Sequence, residues 1–302
     1  MKFLAVLAAL GYLAASSLAS AQVQVSAQTS RTNFLLYERV DILVSVSNVG
    51  ENDLVLDNNE GQPWLSFMLA RHVGHNYSPV KPERKSGFQA VTLKAGETKT
   101  LRINITPLFT FRNEGEYRAA AVIDLPGQGQ IVSDYVPFNV VNGRKVWSQS
   151  RPVDGSQRIY SLIRFSPNSN HTDIYLRIED PAMNLVYANM ALGEIVSSTD
   201  PEAFFDPEGN LHILNPVSLG TYLYTRSDPN GKIQHHAIFK TFQTIPPRLH
   251  KLEDGSVTVA GGLEENAKST RERLSEGQTA APVDTAIVPK NTGQALKGPE
   301  DH

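Results

Sequence analysis

Alternation of apolar and polar residues is the clearest pattern in the chain, and it is most regular between Leu93 and Ile123. Both halves of this segment place an apolar residue at every second position, as a half-buried β-strand requires. These positions are Leu101, Ile103 and Ile105 in the first half and Tyr117, Ala119, Ala121 and Ile123 in the second. The segment therefore predicts two β-strands joined by a loop that ends in Gly115-Glu116-Tyr117.

The same alternation recurs on both sides of this segment. Its apolar positions are Val40, Ile42, Val44 and Val46, then Leu65, Phe67 and Leu69, and finally Val136, Phe138 and Val140. Turn residues such as Asn48-Val49-Gly50 separate the runs, and no run of useful length has the period of a helix. Residues 22–142 therefore predict an all-β domain of roughly seven or eight strands, the size of one sandwich.

Tyr117 enters its strand directly after a corner that contains Gly115. This arrangement resembles the tyrosine corner of immunoglobulin-like sandwiches, in which the phenol bonds back to the backbone. On this resemblance residues 22–142 are similar to a bacterial immunoglobulin-like module. The resemblance implies a β-sandwich with a buried, hydrogen-bonded Tyr117, and it implies nothing about activity.

Residues 143–263 consist of hairpins that repeat at intervals of 46 to 48 residues. One pair of hairpins turns at Asp180-Pro181 and Asp228-Pro229, and a second pair turns at Gly209 and Gly255. A period in the forties built from hairpins resembles β-propeller blades. About 120 residues hold only two or three blades, and a closed propeller needs at least four.

Three interpretations of these hairpins stay open. They form a small open sheet, or several chains complete a ring, or the repeat only reflects the Asp, Pro, Asn and Gly that turns favour. In each case residues 143–263 predict a second all-β domain of blade-like hairpins.

Both ends of the chain differ from these two domains. Residues 1–21 combine Lys2, an apolar run and the small residues Ala19-Ser20-Ala21, which predicts a signal peptide cleaved before Gln22. We therefore expect a secreted protein, periplasmic or extracellular, and the absence of Cys fits a bacterial envelope. Residues 264–302 contain no aromatic residue and several Pro and Gly, and they predict a disordered tail.

Charge and composition exclude several classes of function. The net charge is −3, or −4 without Lys2, and no long run of Lys or Arg is present, which argues against nucleic-acid binding. No segment after the signal peptide is long and apolar enough to span a membrane. Without Cys, disulfides and Cys-based zinc sites are excluded. The chain has no G-x-S-x-G motif, and no catalytic residue or cofactor is assigned.

Five residues of the second domain are candidates for a site. His212, His236 and His250 could form a metal site if their hairpins are neighbours, although His is also common on half-exposed sheets. Tyr222 and Tyr224 lie two residues apart on one strand face. That face could bind a sugar or a partner if exposed, but we expect it to be core.

The sequence predicts an exported, non-catalytic binding or structural module of a bacterial envelope. Its partner would be an envelope protein or a glycan, and oligomerisation stays open. The alternative is a hydrolase or carbohydrate-active enzyme with its site on loops of the second domain. An exposed apolar or aromatic patch would favour the module, whereas acidic and His side chains meeting in one pocket would favour the enzyme.

Overall fold

The computed structural model describes residues 23–59, 61–85, 87–125, 127–168, 171–196 and 199–265. These residues form 22 β-strands and no helix, which confirms the prediction of an all-β protein. None of the described segments is a helix that could cross a membrane. The predicted signal peptide lies outside the described residues, as does the predicted tail from residue 266 onward. Glu264, predicted as the first tail residue, instead ends a strand.

Residues 23–142, the N-terminal region, contain the first eleven strands. They are β1 (Val23–Thr29), β2 (Asn33–Leu35), β3 (Asp41–Asn48), β4 (Leu54–Leu56), β5 (Leu65–Val73), β6 (Asn76–Val80), β7 (Val91–Leu93), β8 (Thr98–Asn104), β9 (Gly115–Leu125), β10 (Gly129–Val132) and β11 (Val136–Val141).

Residues 143–265, the C-terminal region, contain the other eleven strands. They are β12 (Arg144–Val153), β13 (Ser156–Asn168), β14 (His171–Asp180), β15 (Leu185–Glu194), β16 (Glu202–Phe205), β17 (Leu211–Ser218), β18 (Thr221–Ser227), β19 (Ile233–Lys240), β20 (Arg248–Lys251), β21 (Val257–Ala260) and β22 (Leu263–Glu264). Within the described residues, each sheet takes all its strands from one region. The domain division near residue 142 stays a prediction.

Two sheets enclose the core of the N-terminal region. The larger has the order β2-β11-β9-β5-β6, with β10 also paired to β9, and the smaller has the order β1-β3-β8. The alternating apolar residues of both sheets share one buried cluster with Trp64 and Phe109. Because alternate residues of a strand point to opposite faces, each sheet also has an outer face that turns away from this core.

Tyr117 occupies the position that the corner pattern predicts. Its side chain is only 3% exposed, and its hydroxyl donates a hydrogen bond of 2.8 Å to the carbonyl of Asn113. The ring stacks on Phe138 and meets the edge of Phe111. The prediction of a buried, hydrogen-bonded Tyr117 is therefore confirmed.

Replacing Tyr117 by Phe is expected to lower the free energy of unfolding by about 1 kcal/mol, because the ring stays packed while one hydrogen bond is lost. Urea unfolding of wild type and Tyr117→Phe measures the difference. Exposed Tyr135→Phe serves as the control and should leave stability unchanged. An equal effect of the two substitutions would contradict the corner bond.

The C-terminal region is a stack of antiparallel sheets. Strands β12 to β15 pair in sequence order, and so do β16 to β19, whose last strand also pairs with β22. The residues of the predicted repeat lie in the hairpins β14–β15 and β18–β19, and in the hairpins β16–β17 and β20–β21. One buried cluster joins the two four-stranded units, and a second cluster joins β17, β18 and β19 to the hairpin β20–β21.

The two regions meet through a partly buried polar cluster. Glu38 accepts a hydrogen bond of 2.7 Å from the hydroxyl of Tyr175 and pairs with Arg31 at 2.5 Å. Arg177 donates to the carbonyl of Leu36 at 2.7 Å. Burial raises the pKa of Tyr175, and the bond to Glu38 raises it further. Gly143 lies at the crossing point, with a φ of +69°.

Candidate functional site

The paired tyrosines of the C-terminal region do not form an exposed surface. Tyr224 is buried and Tyr222 is partly buried, and both pack against the hairpin β20–β21. Leu249 of β20 and Val259 of β21 contribute apolar side chains to the same cluster. This face of β18 is therefore core, as expected, and no ligand can stack on it without displacing the hairpin.

His212 and Tyr224, which the sequence presents as separate candidates, belong to one buried chain of hydrogen bonds. The Tyr224 hydroxyl lies 2.8 Å from Nδ1 of His212, and Nε2 of His212 lies 3.0 Å from Oδ2 of Asp206. Asp206 also accepts two hydrogen bonds from Asn210, one from its backbone and one from its side chain. The carboxylate can only accept, so Nε2 of His212 is the donor in its bond to Asp206.

Burial and the hydrogen bonds of this network determine the pKa shifts of its members. Burial raises the pKa of Asp206, but the bonds from Asn210 and His212 together outweigh burial, and the net shift of this pKa is downward. Burial raises the pKa of Tyr224. This hydrogen-bonded network holds the turn between β16 and β17 against β18.

The three candidate histidines do not converge. His212 pairs in register with Arg226, whereas His236 pairs with Thr225, one residue earlier on β18. Because alternate residues point to opposite faces, His212 and His236 lie on opposite sides of their sheet. His250 is exposed on β20. Among the described residues no group of three His, Cys, Asp or Glu side chains is placed to hold a metal ion.

A different surface has the composition of a binding site, namely the outer face of the larger N-terminal sheet. The register places Ala70 of β5, Arg118 of β9, Pro79 of β6 and Pro137 of β11 in one row across this face. The next row contains His72, Tyr77 and Glu116 in addition to Asn139. On the other side of Arg118, Met68 pairs with Ala120, and Val132 pairs with Val122.

Arg118 is the centre of this face. Its Cζ lies 4.0 Å from the ring centre of Tyr77 and 4.4 Å from that of Tyr135, so the guanidinium contacts an aromatic ring on each side. Within the described residues it makes no ion pair, and its Nε is buried without a hydrogen-bond partner. Tyr77 in turn donates a hydrogen bond to the carboxylate of Glu116, which raises the pKa of Tyr77.

Exposed apolar side chains adjoin this stack. Met68 is 39% exposed, Tyr135 is 41% exposed and Val132 is 44% exposed. We call Met68, Tyr77, Arg118, Val132 and Tyr135 the outer-face patch. Inward-facing residues of β5 and β9 belong to the core, Val80 of β6 and Ile131 of β10 pack against it, and Tyr135 lies between β10 and β11.

The smaller sheet of the same region provides an internal comparison. Its outer face pairs Ser45 with Thr100 and Ser47 with Thr98, and both pairs join their hydroxyls at 2.8 Å. Arg102 lies on this face beside Asp41. The polar character of this face is that of a surface in contact with water, whereas the outer-face patch of the larger sheet combines Tyr, Arg, Met and Val.

Sequence reasoning missed the outer-face patch because its members come from four separate segments. A local signal was present in Met68 and Val132. Both are apolar, yet each alternates with inward-facing residues along its strand and so lies on the outer face, where a solvent-facing sheet carries polar residues. The stacking of Arg118 between two tyrosines depends on strand pairing, which the sequence pattern does not specify.

The hollows on the N-terminal region include the following two. One, of about 290 Å³, is lined mainly by polar residues, among them Asp57, Asn59, Gln62 and Asp124, with Trp64 at its side. The other, of about 210 Å³, is mostly apolar and lies beside β5.

No protein-family model matches the chain, and no curated protein matches it. Among solved structures, a β-glucosidase from Erythrobacter marinus matches 39% of this chain and 15% of its own, at 19% identity and a TM-score of 0.28. The sporulation control protein Spo0M from Bacillus subtilis matches 55% of this chain and 83% of its own, at 13% identity and a TM-score of 0.30. A β-glucosidase from Listeria innocua matches 39% of this chain and 16% of its own, at 17% identity and a TM-score of 0.24. The chain thus spans about one sixth of the length of these glucosidases, and similarity at this level assigns neither a family nor an activity.

Proposed function

We propose that the protein is an exported, non-catalytic binding module of a bacterial envelope, and that its binding surface is the outer-face patch. The observation that carries this proposal is the stack of half-buried Tyr77 and Arg118 with exposed Tyr135 on the outer face of the larger N-terminal sheet, flanked by exposed Met68 and Val132. The partner is an envelope protein or a glycan. Export rests on the signal-like residues 1–21.

The composition of the patch supports this role. Tyr, Met and Arg are enriched at protein interfaces, and Tyr and Arg contribute much of the binding energy where they are held in place. The two rings restrict Arg118 before a partner arrives, so less side-chain entropy is lost when the partner binds. Tyrosine rings also stack on the apolar faces of sugars, which keeps a glycan within the same proposal.

We also propose a fold type for each of the two regions. The corner bond of Tyr117 supports an immunoglobulin-like N-terminal sandwich. The successive four-stranded units β12–β15 and β16–β19, followed by the hairpin β20–β21, support blade-like repeats in the C-terminal region. The binding surface then lies on the sandwich, and the blade-like region forms a support packed against it.

The proposal is tested by substitution in the patch. A partner recovered from envelope extract is expected to bind Arg118→Ala and Tyr135→Ala about 30-fold more weakly than wild type, the effect of removing an interface hot spot. Biolayer interferometry with the purified partner measures the dissociation constants.

Arg102→Ala is the matched control, because Arg102 occupies a mid-strand position on the outer face of the smaller sheet. Its affinity should equal that of wild type. A partner that binds Arg118→Ala and Tyr135→Ala as tightly as wild type would overturn the assignment of the surface. Urea unfolding of the three variants verifies that each remains folded.

A further inference from the structure

The outer face of β9 carries opposite charges at two separated positions. From Arg118 onward, the residues of β9 that point away from the core are Arg118, Ala120, Val122 and Asp124, because the residues that alternate with them belong to the core cluster. A strand rises about 3.4 Å per residue, so Arg118 and Asp124 are about 20 Å apart along β9. This part of the outer face therefore begins with a cation and ends with a carboxylate.

Apolar side chains occupy the surface between these two charges. Met68 of β5 pairs with Ala120, and Val132 of β10 pairs with Val122. Met68 and Val132 are exposed, whereas Ala120 and Val122 are buried. The surface thus runs from a positive end across an apolar middle to a negative end.

The charge of the positive end is unmatched within the described residues. Arg118 stacks between Tyr77 and Tyr135 and forms no ion pair there. Glu116 lies two positions before Arg118 on the same face of β9, and its carboxylate accepts the hydrogen bond of Tyr77. The half-buried guanidinium is therefore held between two rings and remains available to a carboxylate from outside.

The negative end coincides with the polar hollow of about 290 Å³. Asp124 and Asp57 both line this hollow, together with Asn59 and Gln62. In the part of the chain that the structure describes, neither carboxylate forms an ion pair. The hollow therefore combines a surplus of negative charge with room for a cationic side chain.

We infer that the outer-face patch binds a second copy of the chain, face to face, with Arg118 of each copy directed towards the polar hollow of the other. A two-fold axis that lies between the two sheets and crosses β9 at the level of Ala121 reverses the direction of β9 in the second copy. Arg118 of one copy then faces Asp124 of the other, and the same contact recurs at the opposite end. Met68 and Val132 lie in the apolar middle of this interface.

A second copy is favoured over an unrelated partner because one face supplies both members of the charge pair. An isologous interface needs a self-complementary patch of this kind. The reversed direction of β9 also separates the two Arg118 side chains, so that opposite charges meet and like charges do not. The inference rests on the proposed function, since it names the partner of the outer-face patch.

Charge reversal tests the inference on the mature protein that begins at Gln22. Sedimentation velocity is expected to show a dimer of wild type at micromolar concentrations. Arg118→Asp and Asp124→Arg should each weaken the dimer by more than about tenfold, because each substitution places like charges together at both ends of the interface. An equimolar mixture of the two variants should recover the dimer, since every pair in the mixed dimer joins opposite charges.

Arg102→Asp is the matched control, because Arg102 lies on the outer face of the smaller sheet. It should dimerise as wild type does. Arg118→Gln and Asp124→Asn remove one charge without adding another and should weaken the dimer by a smaller factor. Urea unfolding verifies that each variant remains folded.

Three results would overturn the inference. They are a wild type that stays monomeric at about 100 μM, a dimer that Asp124→Arg leaves unchanged, and a mixture of the folded reversal variants that stays monomeric. Failure of the proposed function is distinguishable from these results. A monomeric wild type whose envelope partner is lost in Arg118→Ala and Tyr135→Ala would refute only the second copy, whereas an envelope partner that both variants retain would refute the patch itself.

Discussion

Gly231→Ala is expected to lower the free energy of unfolding by about 3 kcal/mol, one of the two largest effects anticipated for this protein. Gly231 has a φ of +90°, where a side chain adds strain. An added Cβ would lie 2.5 Å from Cβ of Ala188 and 3.1 Å from Cδ1 of Ile178. Both atoms belong to the adjacent four-stranded unit, so the clash would separate two packed sheets.

Gly209→Ala is the matched control for this prediction. Gly209 occupies the same place in the turn that begins at Asp206-Pro207, and its φ of +86° is nearly the same. Its nearest neighbour would lie 3.5 Å from an added Cβ, which is ordinary contact. We therefore expect Gly209→Ala to cost only about 1 kcal/mol, from backbone strain alone. Urea unfolding of both variants measures the difference, and equal losses would show that Gly231 has no packing role.

The turn that contains Gly231 illustrates what sequence pattern can predict. Asp228, Pro229, Asn230 and Gly231 together predict a tight turn, and the structure has one there. The same turn also receives a hydrogen bond of 2.9 Å from the Tyr160 hydroxyl to the Pro229 carbonyl. Nothing local to the turn indicates this contact, because Tyr160 belongs to β13 of the other four-stranded unit.

The same distinction applies to the N-terminal region. Local alternation was sufficient to predict the strands around Leu101 and Tyr117, and the corner next to Gly115 was sufficient to predict the bond of Tyr117. Strand alternation specifies which residues share a face but not which strands are neighbours. The contact of Arg118 with Tyr77 and Tyr135 needs the pairing of β9 with β5 and the path from β10 to β11, and it could not be predicted.

For the candidate residues of the C-terminal region, alternation predicts which strand face a side chain occupies but not what that side chain contacts. Tyr222 and Tyr224 do share a face, as alternation requires, and that face is core. The sequence presents His212 as a candidate metal ligand, whereas in the structure it links the hydroxyl of Tyr224 to the carboxylate of Asp206. The turn sequence Asp206-Pro207-Glu208-Gly209 predicts a turn but not that its first residue is buried against a histidine.

Asp206→Ala is expected to destabilise the protein by about 3 kcal/mol at pH 7, because it leaves His212 and Asn210 without their buried acceptor. Asp206 is 7% exposed and accepts hydrogen bonds of 2.8 Å from both the backbone and the side chain of Asn210, in addition to the bond from His212. Asp228→Ala is the control, since Asp228 begins the equivalent turn and, among the described residues, its carboxylate accepts hydrogen bonds only from the backbone amides of Asn230 and Lys232. It should cost about 1 kcal/mol.

The effect of Asp206→Ala should also depend on pH in a defined direction. The folded protein lowers the pKa of Asp206 below that of the unfolded chain, about 3.9 for an aspartate. A carboxylate with a lowered pKa stabilises the fold fully above the unfolded-state value and loses that contribution as the pH falls through the folded-state value. The part of the stability difference between wild type and Asp206→Ala that the ionised carboxylate contributes should therefore shrink below about pH 4. Urea unfolding across this range measures it, and a difference that grows on acidification would show that Asp206 is not held as a carboxylate by His212 and Asn210.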